Sequence, residues 1–319
     1  MNDLPIRRQK SIFYQKLFVI ILLIIALDYL FGLVLSHLFF SQKSGLNYRT
    51  TFVLENTKAE VVILGSSRAN HHYKPQIFSD KFKLTCYNAG RDGQHIPFQY
   101  AMLKGIIKRY SPKILILDIL PRQLLNNPEN YRLNALLPYY KAHKEIRSVA
   151  NLNSKTEKIK LLSKIYPFNS LLLTMIKSNL KKRKHTDGYI PLEKVMNYTP
   201  EKEEEEVKSS NDFTSKIVID EKIVSILESF IALAKESGIE VYLVTSPFFK
   251  STVNPKANFA LEQIAVNNKV PFFDYSTHKD FVGHPELFQD NSHLNDSGAE
   301  HFSKIISMRI FDELKPKDK

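Results

Sequence analysis

A chain of 319 residues with 43% hydrophobic content is long enough to bury one sizeable core beside an anchor segment. Its net charge of +12 would suit a nucleic-acid partner, but the excess sits in an N-terminal flank (Arg7, Arg8, Lys10, Lys16) and in Lys181-Lys182-Arg183-Lys184. Neither cluster is interleaved with aromatics in a nucleic-acid-binding motif, so no nucleic acid is expected. The lone Cys86 excludes an internal disulfide and a cysteine metal site, and in LTCYNAG it reads as a small buried hydrophobe.

Residues 1–16 form a basic N-terminus, expected in the cytoplasm. Residues 17–40, LFVIILLIIALDYLFGLVLSHLFF, make 24 largely apolar residues, enough to cross a hydrocarbon core of about 30 Å as a helix. The run ends HLFFSQKSG, without a small-x-small cleavage site, and reads as an uncleaved single-pass anchor rather than a signal peptide. Four Lys/Arg precede it, against Lys43 and Arg49 after it, which favours an exported body, periplasmic or extracellular. Asp28 is costly mid-segment when charged; it is expected either to be protonated or snorkelling, or to meet a partner helix of another membrane protein.

From residue 50 to 319 the pattern alternates apolar, β-branched runs with helical periodicity. Strands are predicted at Glu60–Leu64, Leu84–Asn88, Ile114–Ile119, Val241–Thr245 and Phe272–Tyr275, nearly all apolar, as in parallel strands covered on both faces. Helices are predicted at Phe98–Tyr110, Glu221–Ser237, Ala257–Asn267 and Asp296–Leu314, with Ser237-Gly238 closing the second and Asp296 capping the last. This alternation predicts a three-layer α/β sandwich with a mostly parallel sheet. Residues 121–220 interrupt it and read as an insertion over one end of the sheet. Within it, Asn169–Leu180 is predicted helical after Pro167, and the acidic run Glu201–Asp212 is expected to be a surface loop.

Three segments carry candidate chemistry. VVILGSSRANHH (Val61–His72) puts a hydroxyl, Ser66 or Ser67, on a glycine turn at the carboxyl end of a strand, where open α/β sheets build their sites. YNAGRDGQH (Tyr87–His95) offers two glycines around a polar turn, whose backbone N–H groups could stabilise an oxyanion. FQDNSHLNDSGAEHF (Phe288–Phe302) sets Asp290 three residues before His293, a spacing that lets the carboxylate fix the imidazole tautomer and leave the other ring nitrogen as a base for a serine. His71 and His72 are adjacent on one segment and have no evident third ligand, so neither a metal nor a cofactor is expected.

Together, and in this order, the three segments resemble the SGNH/GDSL hydrolase superfamily, with its flavodoxin-like fold. The resemblance selects Ser67, two positions after the glycine of Gly65-Ser66-Ser67, as nucleophile. It matches Asp290-Asn291-Ser292-His293-Leu294-Asn295-Asp296-Ser297-Gly298 to the terminal Asp-x-x-His block, making Asp290 and His293 the rest of a triad. It also implies oxyanion or substrate contacts at Gly93 and Asn88, while Arg68 is expected either to order the turn or to meet substrate. One block departs from the family. Where its third conserved asparagine would stand, ILILDILPRQL (Ile114–Leu124) has Arg122, a candidate donor or anion-binding group. The layout is similar to that of membrane-anchored relatives, the alginate O-acetylation proteins and the D-alanylation protein of teichoic-acid synthesis. The expected activity is a serine-dependent acyl-ester hydrolase or O-acyltransferase acting on an acylated envelope polysaccharide. The alternative is a non-catalytic glycan- or partner-binding module.

Overall fold

The computed structural model describes residues 6–180, 185–198, 218–250 and 254–315. The acidic run Glu201–Asp212 and the basic cluster Lys181–Lys184 lie outside the described residues. The first helix, α1 (Ile6–Phe40), is 35 residues long and, among the described residues, is the one helix long and apolar enough to cross a membrane, with a mean hydropathy of 2.9 in its most apolar window. A short turn leads into α2 (Gly45–Glu55), so the expected body boundary at residue 50 falls inside a helix.

The body follows as β1 (Val61–Gly65), α3 (Ser67–His72), α4 (Pro75–Phe82), β2 (Cys86–Asn88), α5 (Ile96–Ile107) and β3 (Ile114–Asp118). After the insertion, whose main helix is α6 (Leu172–Leu180), come α7 (Glu221–Glu236), β4 (Glu240–Thr245), α8 (Pro255–Asn267) and β5 (Phe272–Asp274). A hairpin of β6 (Phe288–Asp290) and β7 (His293–Leu294) then precedes α9 (Asp296–Leu314). All five predicted strands are present, each within about two residues of its expected ends. The sheet order is β2-β1-β3-β4-β5, parallel throughout, with Val61 opposite both Cys86 and Ile114 and Leu117 opposite Leu243.

Successive side chains on a strand point to opposite faces, so the apolar runs feed two cores. Val62, Leu64, Leu115, Leu117 and Leu243 pack under α5 and α7 (Met102, Ile106, Leu227, Phe230). Val61, Ile63, Ile116 and Val244 pack under α4 and α9 (Phe78, Phe302, Ile306). The three-layer α/β sandwich is therefore as predicted.

Local sequence explains several boundaries. Asp220 caps α7 by accepting from the amides of Lys222 and Ile223 at 3.0 and 3.3 Å. The helix stops at Ser237-Gly238, where Gly238 takes φ +73°. For α9 the cap is Asn295, which accepts from Gly298 N at 3.0 Å, not Asp296. Asp296 sits one residue too far along and instead takes Tyr189 Oη at 2.7 Å and Lys74 Nζ at 3.0 Å. Pro167 falls near the start of the 3-10 turn Tyr166–Leu171, and α6 begins only after it.

An insertion separates β3 from α7. Its first part packs with α1, α2 and α5 through Leu136, Tyr139, Ile146 and Phe168. Its returning leg runs beside β2 and α3, with Asn88 N donating to Asp187 O at 2.8 Å and Ile190 N to Asn70 O at 3.3 Å.

Candidate active site

The chain runs from β1 to β2 on one side of the sheet and then to β3 on the other, so the topological switch lies at the carboxyl end of β1. Ser67 begins α3 at that point. Gly65 makes the turn possible: at φ +148° a Cβ would stand 2.7 Å from both Ala69 Cβ and Asp118 O. Of the two serines, Ser66 is buried as the helix cap, whereas Ser67 is partly exposed and its Oγ lies 2.8 Å from His293 Nε2.

The partner ring arrives on the β6–β7 hairpin, 226 residues later. Asp290 Oδ1 accepts from the amides of Ser292 and His293 at 2.9 and 3.0 Å and from Ser292 Oγ at 3.1 Å. Its two oxygens lie 2.9 and 3.0 Å from His293 Nδ1. A carboxylate can only accept, so Nδ1 carries the proton and Nε2 is left to accept from the Ser67 hydroxyl. Partial burial pulls the Asp290 carboxyl upward, but the His293 ring and the Ser292 amide outweigh it and hold the pKa at about 2. The carboxylate is thus ionised across the neutral range.

Two residues of α3 grip the hairpin from below. Arg68, 1% exposed, donates through Nη1 to Ser292 O at 3.1 Å and through Nη2 to Pro247 O at 3.0 Å and to Ser246 O. It lies 3.9 Å from Asp118 Oδ1 and stacks over Phe248 at 3.8 Å. Burial lowers its pKa to about 10, which leaves it charged at neutral pH. His72 accepts from Leu294 N through Nε2 at 3.0 Å, so its Nδ1 is the protonated nitrogen and donates to Ser246 Oγ at 2.9 Å. Burial, then the Arg68 charge, hold its pKa well below the usual histidine value, and the ring is neutral. Beneath them Tyr73 donates to Asp118 Oδ2 at 2.7 Å.

These contacts decide one open sequence assignment and correct another. Arg68 is not a substrate contact, because its guanidinium is committed to three carbonyls inside the protein. Asn88 is 0% exposed and is not an oxyanion or substrate group either. Its amide donates to Ala69 O and Tyr73 O at 2.6 and 2.9 Å, and its oxygen accepts from Gly90 N at 2.9 Å. Arg49, counted above as a charge flanking the membrane segment, is likewise internal, bonding Asn70 Oδ1 at 2.6 Å and the carbonyls of Asn88 and Gly90.

Gly93 stands at φ +67° in the turn after β2, with open space where a Cβ would project. That turn is stitched to the serine loop: Arg91 N donates to Gly65 O at 3.0 Å and Asn70 Nδ2 to Asp92 Oδ1 at 2.6 Å. Arg122 is exposed on the turn after β3, the next strand along, and forms no ion pair among the described residues. Its charge is felt at His95 and Arg68, which places it beside the same crevice. His71 does not pair with His72 on an ion; its Nδ1 donates to Ile190 O at 2.7 Å and its Nε2 faces Asp92 at 3.4 Å.

The residues missed in the sequence are Ser246, Asp118 and Tyr73, all under the site. A faint signal existed for Asp118, an acid ending the apolar run ILILD. Ser246 stands in an ordinary loop and gave none.

No family model matches the sequence, and no curated protein does. Among solved structures, the chain is similar to a protein described as lipolytic and of the G-D-S-L family from Desulfitobacterium hafniense DCB-2 (11% identity over 78% of this chain and 97% of that one, TM-score 0.40). It is also similar to a two-domain esterase active on acetylated mannans (13% identity, 87% of this chain and 55% of that one, TM-score 0.42). A third is LAE5, an α/β hydrolase enzyme from the metagenome of Lake Arreo, Spain (9% identity, 82% and 98%, TM-score 0.42). Likeness at this level speaks to neither substrate nor mechanism, which rest on the side chains themselves.

Proposed function

We infer that the chain is a serine-dependent acyl-ester hydrolase or acyltransferase of the SGNH type, with Ser67 as nucleophile. The observation that carries this reading is the continuous line Ser67 Oγ–His293 Nε2 (2.8 Å) and His293 Nδ1–Asp290 (2.9 Å), at the carboxyl end of the central strands.

In the first half-reaction Ser67 Oγ bonds to the ester carbonyl carbon while His293 Nε2 takes the hydroxyl proton. The resulting oxyanion meets the backbone N–H groups of Ser67 and Gly93. Collapse breaks the bond to the alkoxy oxygen, which leaves as an alcohol with the proton from His293. In the second half-reaction His293 deprotonates water or a sugar hydroxyl, that oxygen attacks the acyl-serine, and collapse breaks the Ser67 Oγ–acyl bond; His293 returns the proton to Ser67 Oγ, and the acyl group leaves as an acid or as a new ester. Asp290 keeps the ring in register and stabilises its charged form.

Arg122, exposed and without an ion-pair partner among the described residues, suits an anionic group on the substrate, and an acylated envelope glycan is the substrate class in view. The anchor reading rests on α1: it makes the protein a single-pass membrane protein with residues 1–16 in the cytoplasm and the α/β body outside.

The test is acetate release by the full-length protein from a panel of acetylated polysaccharides and from an aryl acetate, with and without a free glycan acceptor. Release in water identifies a hydrolase; transfer to the glycan identifies an acyltransferase. Neither, in a folded protein, contradicts the reading and leaves a glycan-binding module.

A further inference from the structure

A cleft of about 600 Å³ lies between α1 and the insertion, away from the triad. One wall is apolar helix, including Leu33 and Phe40 of α1; the other brings Leu137 and Leu161 from the insertion. Into the same space come four cations, Lys141, Arg147, Lys158 and Lys164, and among the described residues no carboxylate lines it. None of the four forms an ion pair among the described residues. Arg147 donates only to the carbonyls of Tyr140 and Lys141. Asp28, close by, is occupied by Ser163 Oγ at 2.5 Å and by the amides of Lys164 and Ile165 at 2.7 and 3.4 Å. Close approach of the two walls depends on Gly32, where a Cβ would stand 2.2 Å from Lys164 Cβ.

We propose that this cleft holds a membrane phospholipid with an anionic headgroup, its phosphate between Lys141 and Lys164 and its acyl chains along Leu33 and Phe40. The proposal rests on the reading of α1 as a membrane-crossing helix.

Three observations favour this occupant. First, the four cations of the cleft face one nearby carboxylate, Asp28, which leaves an excess of positive charge that an anion complements. The Lys164 ammonium beside it, together with partial desolvation, already holds the Lys141 pKa below its ordinary value. Second, the cleft is continuous with the apolar surface of α1, whose residues from Phe13 to Leu27 are mostly exposed. Third, the stretch that carries Lys164 exposes further large apolar side chains, Ile159, Leu162, Leu173 and Ile176, as a segment lying in the headgroup layer does. Lysines on such a segment are within reach of anionic headgroups.

The test uses the full-length protein reconstituted in bilayer nanodiscs of equal parts phosphatidylglycerol and phosphatidylcholine, then released for native mass spectrometry. The expected result is one phosphatidylglycerol retained per chain in preference to phosphatidylcholine. Retention falls about tenfold or more in Lys141→Glu/Lys164→Glu, and in the milder Lys141→Gln/Lys164→Gln should the first fail to fold. Equal retention of both lipids, or undiminished retention in a folded double variant, overturns the proposal. Excess inorganic phosphate is expected to leave the lipid in place; displacement by phosphate alone would mean a soluble anion site instead. Carbonate extraction separates the two layers of the argument. A protein stripped from membranes by carbonate defeats the anchor and the cleft together, whereas one that stays in the bilayer without lipid preference defeats only the cleft.

Discussion

Asp290 and Asp28 are both carboxylates that gather several hydrogen bonds, yet they gather them from opposite distances. Asp290 draws its donors from Ser292 and His293, within three residues, so a short loop assembles the base end of the triad by itself. Asp28 draws its donors from Ser163, Lys164 and Ile165, 135 to 137 residues away, and so pins the insertion to α1. The sequence left Asp28 open between a protonated or snorkelling side chain and a partner helix; here its hydrogen bonds come from a turn of the same chain. One acid sets a reacting ring, and the other sets where a whole segment sits. Removing each in turn should therefore separate chemistry from placement.

The largest effect is expected for Asp290→Asn. An amide can donate to Nδ1 and favour the wrong tautomer, which lowers turnover on the order of 10³–10⁴-fold with little change in folding; steady-state ester hydrolysis beside a urea titration measures both. Next comes Arg68→Met, which leaves Asp118 buried without its cation and frees three carbonyls that hold the hairpin. A loss of about 3–5 kcal/mol in unfolding free energy is expected, measured by the urea midpoint. If Arg68→Met instead lowered turnover with stability intact, Arg68 would be acting at the substrate and not beneath it.

Asp28→Ala is expected to cost about 1–3 kcal/mol locally. It should raise proteolytic cleavage within residues 157–171 while turnover on a soluble ester stays unchanged. Loss of turnover in that variant would erase the distinction between the two acids.

The smallest effect is a pH dependence through His72. Burial keeps the ring neutral in the folded chain, whereas the unfolded chain takes up the proton near pH 6.5. The unfolded state then binds more protons, so this contribution is complete above about pH 6.5 and is lost as the pH falls below it. Its slope is at most about 1.4 kcal/mol per pH unit. Urea midpoints between pH 7 and pH 5 should fall less steeply in His72→Gln.

The same contrast explains what the sequence discloses. The parallel sheet was legible because strands buried on both faces must be continuously apolar, as in EVVIL and ILILDI. The Asp290–His293 pair was legible because its geometry is made by neighbours in the chain. The serine loop was partly legible: Gly65 marked the turn, but which of Ser66 and Ser67 faces the crevice came from family resemblance. Arg68 stayed open between turn and substrate, and Asn88 was misassigned, because their partners, Ser246, Pro247 and Ser292 for one and Ala69 and Tyr73 for the other, are fixed by packing that no local pattern records. Asp28 fails the same way, since nothing near residue 28 announces residue 163. Helix α2 escaped notice because much of its buried face is polar (Asn47, Arg49, Thr50), and α4 because eight residues are too few to establish a period.

The most direct test of the proposed triad is fluorophosphonate labelling of the full-length protein, read by intact mass and peptide mapping. The account predicts one adduct per chain, on Ser67, absent in Ser67→Ala and strongly slowed in His293→Ala. An unreactive but folded wild-type chain, or an adduct that persists unchanged in Ser67→Ala, would contradict it.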